Sequence, residues 1–147
     1  MCIRDRLTVE ERGQKEQHSE MGERILLNVE DYRDIARVVR HHHERWDGAG
    51  YPDQLAAGSI PLMARIIAVA DAYNAMTSDR PYRDAMPSAV ARMRLLQAVD
   101  SQFDSKVVTA FEAVLAAESE DYRMGQRRDF VFETQQRASD PMLKAVA

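Results

Sequence analysis

Apolar residues recur along most of this chain at intervals of three or four positions, which is the period of an amphipathic α-helix. Alternation of apolar and polar residues, the mark of a half-buried strand, never continues long enough to predict a sheet. The pattern therefore predicts an all-α fold. About five main helices are expected, over Val9–Leu27, Val29–Glu44, Leu62–Thr77, Ser88–Val99 and Asp104–Ala117.

Proline and glycine residues mark the ends of these predicted helices. Pro61 lies just ahead of the third helix and Pro81 just beyond it, while Pro87 precedes Ser88, a residue suited to an N-cap. The stretch 48–61, between the second and third helices, has no helical period. Its length favours a functional role over a bare connection.

Composition narrows the class of protein. With 147 residues, 45% of them hydrophobic and 30% charged, the chain has the make-up of one ordinary globular domain or a piece of one. It contains no apolar run of membrane-span length and no secretory signal. The single cysteine, Cys2, excludes an internal disulfide, so we expect a cytoplasmic protein. A net charge of −4 argues against nucleic-acid binding but allows a small anionic ligand.

Helical phase separates the three consecutive histidines. In the second predicted helix, the apolar stripe that contains Ile35 and Val39 continues into His42, seven residues after Ile35. His43 lies on the flank of the same stripe, four residues after Val39, whereas His41 falls well off it. We therefore expect His42 and His43 to point inward and His41 to point away from the core.

A fourth histidine, His18, shares a face of the first predicted helix with Met21, Gly22 and Ile25, and we expect this face to be buried. A single inward histidine is more often a hydrogen-bonded core residue than a metal ligand. Two adjacent inward histidines are harder to explain in that way, because both rings need partners for two nitrogens away from water. Since neutral imidazole is the commonest metal ligand in proteins, the pair favours a metal site.

A carboxylate strengthens this interpretation. The third predicted helix is apolar nearly all round and carries only two charged residues, Arg65 and Asp71, so we expect it to be buried at the centre of the fold. An ionised carboxylate in that place is costly unless it binds a metal or pairs with an arginine. Histidine nitrogens with a carboxylate form a mixed ligand set that suits iron, manganese or zinc better than calcium.

Two further features have both a functional and a plain interpretation. Arg80 and Arg83 follow the third helix, and their guanidinium groups suit phosphate oxygens, although they could simply be solvated surface residues. The glycines of the segment 48–52 let backbone approach a ligand closely, although this segment could be only a turn.

Several motifs in order resemble the HD-GYP family, metal-dependent phosphohydrolases that cleave the bacterial second messenger cyclic di-GMP. The resemblance covers about residues 7–115. It implies an HD-type helical bundle and hydrolysis of cyclic di-GMP to the linear dinucleotide or GMP. The motifs that carry it are His42-His43-Glu44, Gly48-Ala49-Gly50-Tyr51-Pro52, Ser59-Ile60-Pro61, Ala68-Val69-Ala70-Asp71-Ala72 and Thr77-Ser78-Asp79-Arg80-Pro81-Tyr82-Arg83.

The resemblance also implies roles for single residues. A cluster of two or three divalent metal ions, iron or manganese, would be bound at the positions of His18, His42, His43 and Asp71. The substrate would be contacted by Tyr51, Arg80 and Arg83. The loop would be held in place by Glu44, Arg45, Trp46 and Asp47. The implied partners are cyclic di-GMP and a GGDEF or receiver domain.

One part of the family pattern does not occur here. The family takes its name from a His-Asp pair on a helix upstream of the segment that begins at Leu7, and this sequence contains no His-Asp dipeptide. We therefore expect an N-terminally truncated HD-GYP domain over 7–117, with an unassigned start at 1–6 and a polar tail at 118–147 that docks weakly or is partly disordered. The alternatives are a non-catalytic module that binds cyclic di-GMP or a partner, a hydrolase of another phosphorylated nucleotide, and a helical output fragment of a larger regulator.

Overall fold

The computed structural model of the chain describes residues 9–80 and 83–125. Within these ranges the prediction of an all-α fold with five main helices is confirmed. None of the described helices is long and apolar enough to cross a lipid bilayer. The helices are α1 (Val9–Leu26), α2 (Arg33–His41), α3 (Leu62–Thr77), α4 (Ser88–Gln97), α5 (Ser105–Ala117) and the short α6 (Glu120–Arg123), with one 3-10 turn at Ala57–Ser59.

The second helix is the one whose predicted bounds were wrong. It was expected over Val29–Glu44 but spans only Arg33–His41. Residues 27–32 form turns instead of helix, and at the other end the amide of Glu44 donates to the carbonyl of His41 at 3.0 Å. The chain therefore leaves the helix at His41, before the pair of histidines that the pattern placed on it.

The core lies among α3, α4 and α5. Val69, Leu95 and Val108 are fully buried and pack in one cluster with aromatic side chains. The ring of Tyr73 meets that of Phe111 edge-on, at 5.3 Å between centroids. Burial of apolar surface is worth about 25 cal/mol per Å², so these contacts favour the packing of the three helices.

Helix α3 has one buried and one exposed face, so the expectation of burial all round was wrong. Val69 and Tyr73 are buried, whereas Ile67 is 38% exposed and Asp71 is exposed. Asp71 lies two positions from both Val69 and Tyr73, which is about 200° around a helix, and so it points to the opposite side. Asp71 is therefore exposed to solvent and is not the buried carboxylate that the sequence predicted.

Helix α2 turns back along α1. The guanidinium of Arg40 reaches Glu23 on α1 at 2.7 Å, and the two helices pack closely at Gly22. A Cβ at Gly22 would lie 2.8 Å from Cγ1 of Val39, so a larger residue there would have to displace the Val39 side chain or the helices. The buried side of α1 is that of Ser19, with Gly22 half-buried. The side expected to be buried is exposed, because Met21 and Ile25 are 59% and 63% accessible and His18 is exposed.

The loop after α2 is tied to the turn between α4 and α5. The amide of Trp46 donates to the carbonyl of Gln102 at 3.1 Å, and that of Asp47 donates to Ser101 at 2.9 Å. Arg65 of α3 pairs with the buried carboxylate of Asp104 at 2.6 Å. The loop is therefore held against the helical core as well as against α2.

The described part of the predicted polar tail forms α6. The hydroxyl of Tyr73 donates to the carbonyl of Arg123 at 2.9 Å, which attaches α6 to the core. The remaining predictions for the tail concern residues 126–147, including the apolar island 130–132, and lie outside the described residues, as does the unassigned start at 1–6.

Candidate metal centre

Three of the four histidines come together between α1 and the turn that follows α2. One ring nitrogen each from His18, His42 and His43 lies within 4.8 Å of the others. The Nε2 atoms of His18 and His43 are 3.0 Å apart, and the rings of His42 and His43 have centroids at 4.0 Å. These are three of the four residues that the sequence predicted as metal ligands.

His42 and His43 do not continue a helical stripe of α2, as the sequence predicted. Ile35, which was expected to begin that stripe, is 49% exposed, and α2 ends before His42. The turn after α2 brings His42 and His43 towards His18. His41 was expected to point away from the core but is buried, with only 7% of its surface exposed, so this prediction was wrong.

A backbone hydrogen bond determines which nitrogen of His42 carries a lone pair. Its Nδ1 atom lies 2.6 Å from the carbonyl oxygen of Val39, which can only accept a hydrogen bond. In the neutral ring Nδ1 therefore carries the hydrogen and Nε2 carries the lone pair. This arrangement, in which a carbonyl holds one nitrogen and leaves the other for a cation, is common among metal-binding histidines.

Asp71 is the predicted ligand that the structure does not bring into this group. Its side chain is exposed, and the set of residues whose ligand atoms lie within 4.8 Å of one another contains only the three histidines. The alternative of an ion pair with an arginine is not found either, because Asp71 forms no ion pair within residues 9–80 and 83–125.

A second group with metal-ligand chemistry lies on the other side of the same turn. His41, Glu44 and Asp53 also place ligand atoms within 4.8 Å of one another. The carboxylate of Glu44, however, accepts hydrogen bonds from the amides of Asp53 and Leu55, at 2.8 and 3.1 Å. The pKa of Glu44 is raised, chiefly because burial penalises the charged form.

The remaining oxygens of this second group are already occupied as well. The carboxylate of Asp53 accepts hydrogen bonds from Nε and Nη2 of Arg40, both at 2.7 Å. Its Oδ2 also lies 2.9 Å from Nε2 of His41. The hydrogen bond from Arg40 holds the pKa of Asp53 well below its usual range. A cation here would have to displace a bound guanidinium, so we assign the group a structural role. The prediction that Glu44 holds the loop in place is confirmed.

Tyr51 forms a wall beside the three histidines. Its ring stacks on that of His43, with centroids 4.9 Å apart and 30° between the planes. Next to it is a polar cleft of about 400 Å³ between α1 and the loop, a size that suits a small-molecule ligand. The lining residues are Gly13, Glu16, Gln17, Glu20, Ala49, Gly50, Tyr51, Pro52 and Gln54.

The two predicted phosphate-binding arginines lie elsewhere and differ from each other. Arg80 is exposed. Arg83 is half-buried, and its Nη2 donates to the carbonyl of Ala75 on α3. Their backbones pair through hydrogen bonds of 2.8 and 3.0 Å, and neither residue lines the cleft.

Sequence reasoning missed two residues that shape this site, Arg40 and Asp53. Both look like ordinary surface charges in a polar stretch, and they are 13 positions apart. Their pairing depends on how the loop folds back over α2, which no periodicity reveals. The available signal was the position of Asp53 directly after the Tyr51-Pro52 end of the motif.

Comparisons with known proteins agree with the fold and the motifs. The model of the HD domain family matches residues 3–107. A solved structure, the crystal structure of a cyclic GMP-AMP specific phosphodiesterase of Vibrio cholerae, has a TM-score of 0.64 and 18% sequence identity. The match covers 78% of this chain and 26% of that one, and it supports the fold alone.

Curated relatives share more of the sequence. A cyclic di-GMP phosphodiesterase of Pseudomonas aeruginosa is 43% identical over 110 residues, which cover 72% of this chain and 26% of the relative. The cyclic di-GMP phosphodiesterase response regulator RpfG of Xanthomonas campestris pv. campestris is 39% identical, with 71% and 28% covered. A 3'3'-cGAMP-specific phosphodiesterase of Vibrio cholerae is 33% identical, with 71% and 23% covered.

The chain spans about a quarter of the length of the curated relatives it matches. The family match nevertheless extends over most of the chain, and it includes the histidine turn, the glycine loop and all of α3. The chain belongs to the HD domain family, as the resemblance of its motifs to HD-GYP domains predicts.

Proposed function

We propose that this chain is part of a metal-dependent phosphodiesterase that hydrolyses cyclic di-GMP in bacterial second-messenger signalling. The observation that carries the proposal is the group of three histidine nitrogens within 4.8 Å, beside the cleft next to Tyr51. The names of several relatives, which specify cyclic di-GMP, support this class of substrate. A cytoplasmic location and a GGDEF or receiver domain as partner belong to the same proposal.

In this proposal His18, His42 and His43 hold divalent metal ions, with Asp71 as a further ligand. The fit rests on the lone pair at Nε2 of His42 and on the ring nitrogens of His18 and His43, which face each other. Imidazole with one carboxylate suits iron, manganese or zinc. The resemblance to HD-GYP domains implies iron or manganese, in a cluster of two or three ions. Asp71 is exposed in this structure and lies outside the group of histidine nitrogens within 4.8 Å, so its ligand role would require it to move towards them.

In the reaction, water would attack phosphorus, and the bond between phosphorus and one ribose oxygen would break, so that this oxygen leaves as a hydroxyl group. Bound divalent ions supply Lewis acidity, which activates the water and offsets negative charge on the departing oxygen. Arg80 would hold a phosphate in line, because a guanidinium binds two phosphate oxygens in a defined geometry. Tyr51 would form a wall against the ligand. Arg83 would reach the substrate only if it released the carbonyl of Ala75.

Relatives favour a second candidate substrate. Several of them are named as 3'3'-cGAMP-specific phosphodiesterases, one of them 33% identical to this chain. The two substrates share the cyclic phosphate backbone and differ in one base. The same metal chemistry would therefore serve both, and only the walls of the base pockets would discriminate between them.

A non-catalytic module that binds cyclic di-GMP or a partner is the other candidate. It is favoured by the incomplete ligand set, because the group of His18, His42 and His43 contains no carboxylate. We expect the 147-residue chain to bind iron or manganese weakly and to hydrolyse little cyclic di-GMP, since metal affinity depends on the number of ligands. Extension with an upstream helix that carries a His-Asp pair should produce turnover.

The test is a hydrolysis assay on the short and the extended proteins, with cyclic di-GMP and 3'3'-cGAMP in parallel. Metal-dependent turnover of cyclic di-GMP by the extended protein is the expected result. Faster turnover of 3'3'-cGAMP would mean that 3'3'-cGAMP, and not cyclic di-GMP, is the preferred substrate. Ligand binding by the extended protein without turnover in iron or manganese would favour the non-catalytic module.

Two variants of the extended protein separate metal binding from phosphate recognition. Asp71→Asn keeps the size of the side chain but removes its charge, and it should deplete metal and abolish turnover. Arg80→Ala should leave the metal content intact and weaken cyclic di-GMP binding by about 1.5–3 kcal/mol, or roughly ten- to a hundred-fold. Metal analysis beside isothermal titration measures both. Loss of metal in Arg80→Ala would contradict the phosphate assignment.

A further inference from the structure

We propose that Arg40 is a positioning residue that sets the distance between His18 and the pair His42 and His43, and thereby the affinity of the site for metal. The inference rests on the proposed metal-binding function. Arg40 itself touches none of the three histidines through its guanidinium contacts. It acts through the elements that carry them.

The guanidinium of Arg40 makes two sets of contacts, and the first set, which we call the α1 arm, is with helix α1. Its Nη1 donates to Oε2 of Glu23 at 2.7 Å, and its Nη2 lies 3.5 Å from Oε1 of Glu20. Glu20 and Glu23 follow His18 on α1 by two and five residues, less than two helical turns. The contact therefore fixes the segment of α1 that carries His18 relative to the last turn of α2.

The other arm reaches the loop. Nε and Nη2 form two parallel hydrogen bonds with the carboxylate of Asp53, both 2.7 Å long. Asp53 lies two residues after Tyr51, whose ring stacks on that of His43 and whose amide lies 3.4 Å from the carbonyl of His43. Glu44 holds the same stretch by accepting the amide of Asp53. Movement of Asp53 would therefore be passed to the ring of His43.

An arginine suits this position for a geometric reason. Its planar group holds three acceptors in fixed directions, whereas a lysine offers a single flexible ammonium group. The close approach of α1 and α2 at Gly22 brings Glu23 within reach. Metal affinity depends steeply on ligand placement, and changes in the groups that orient ligands lower it by about 10- to 100-fold.

The experiment is titration of the purified chain with Co²⁺, with affinity from calorimetry and ligand geometry from the visible absorption spectrum. Arg40→Lys should lower the cobalt affinity by about 10- to 100-fold and change the spectrum. The matched control is Arg92→Lys. Arg92 is similarly exposed, at 27% against 23% for Arg40, and pairs with Glu112 at 2.8 Å between α4 and α5, far along the chain from the histidines. It should lose the thermal stability that one ion pair contributes and keep the cobalt affinity and spectrum of the parent.

A double-mutant cycle tests whether the α1 arm acts through His18. Glu23→Ala removes the 2.7 Å bond of that arm and leaves the 3.5 Å contact with Glu20 and the paired bonds between Arg40 and Asp53. It should weaken cobalt binding in the parent but have no further effect in a His18→Ala background. Equal effects in both backgrounds would mean that Glu23 acts without His18, and would overturn the proposal for this arm.

The remaining outcomes separate this inference from the proposed function. If His42→Ala abolishes cobalt binding while Arg40→Lys behaves like Arg92→Lys, the metal site stands and the positioning role of Arg40 is wrong. If the parent does not bind cobalt, or His42→Ala binds it as tightly as the parent, the metal site itself is wrong and the inference fails with it.

Discussion

Two groups of side chains with the same ligand chemistry lie on either side of one turn. The first contains His18, His42 and His43, and the second contains His41, Glu44 and Asp53; each brings three candidate ligand atoms within 4.8 Å. They differ in what surrounds them. In the first, the Nε2 atoms of His18 and His43 lie 3.0 Å apart beside Tyr51, whereas in the second each carboxylate is already matched by amides or by a guanidinium.

The difference shows that proximity of ligand types does not identify a metal site. The buried carboxylate of Glu44 needs hydrogen-bond donors and takes them from two backbone amides, and the more exposed carboxylate of Asp53 pairs with Arg40. Once Glu44 and Asp53 have these partners, a metal would have to displace them. The lone pair at Nε2 of His42 is instead left available by a bond to the opposite nitrogen. The lone pair on His42, compared with the matched oxygens of Glu44 and Asp53, therefore distinguishes the two groups.

The largest effect that separates the two groups should come from removing single histidines. His42→Ala and His43→Ala should each lower metal content and affinity by more than the roughly 10–100-fold of a change outside the ligands. His41→Ala should lower metal content and affinity by less than either, because its Nε2 contacts Asp53 and not the three-histidine group, and it should destabilise the loop that Asp53 anchors. Metal analysis together with thermal unfolding of the three variants checks this. Equal metal loss from all three would erase the distinction between the groups.

How far the sequence predicted this site depends on the kind of signal. The bounds of α3 were correct, because Pro61 and Pro81 mark the two ends of a long apolar segment. Three histidines were correctly selected as neighbours. The reason offered for His42 and His43, a continuous helical face, was wrong because α2 ends at His41.

The parts that could not be predicted depend on contacts between distant segments. The burial of His41 results from a bond to Asp53 in the loop and one to the carbonyl of Arg37 at 2.8 Å. The exposure of Asp71 depends on which face of α3 meets α4 and α5, and an apolar sequence nearly all round does not specify that face. Periodicity describes one element at a time, whereas these features arise from how elements meet.

A smaller effect should come from a substitution that disturbs both groups at once. A Cβ at Gly50 would lie 2.4 Å from the amide nitrogen of Arg45 and 2.5 Å from Cα of Glu44, both in the backbone between the groups. Since backbone cannot rotate away, Gly50→Ala should cost at least the roughly 1–3 kcal/mol of an overpacked site and weaken metal binding. Gly58→Ala is the matched control, because its Cβ would meet nothing within 4 Å. Denaturant unfolding and cobalt titration of both variants measure the difference.

The smallest effect should be confined to the second group and should appear in acid. The hydrogen bond from Arg40 lowers the pKa of Asp53, so this carboxylate stabilises the fold above its unfolded pKa of about 3.9. That contribution falls as the pH drops through the folded value. Glu44 works in the opposite sense, because its raised pKa means that stability is lost as the pH rises past about 4.3.

Unfolding free energies measured between about pH 5 and pH 2 can therefore isolate Asp53. The parent should lose stability towards the acid end, and Asp53→Asn should show a shallower slope because it has no proton to take up. The side chain of Asp53 is 36% exposed, so solvent screening will make the change in slope small. Asp47, whose pKa the guanidinium of Arg45 lowers to about 2, provides a second case outside both groups. If Asp53→Asn kept the slope of the parent while Asp47→Asn flattened it, acid sensitivity would belong to the Arg45 pair, and the contact between Arg40 and Asp53 would be weaker in solution than its geometry indicates.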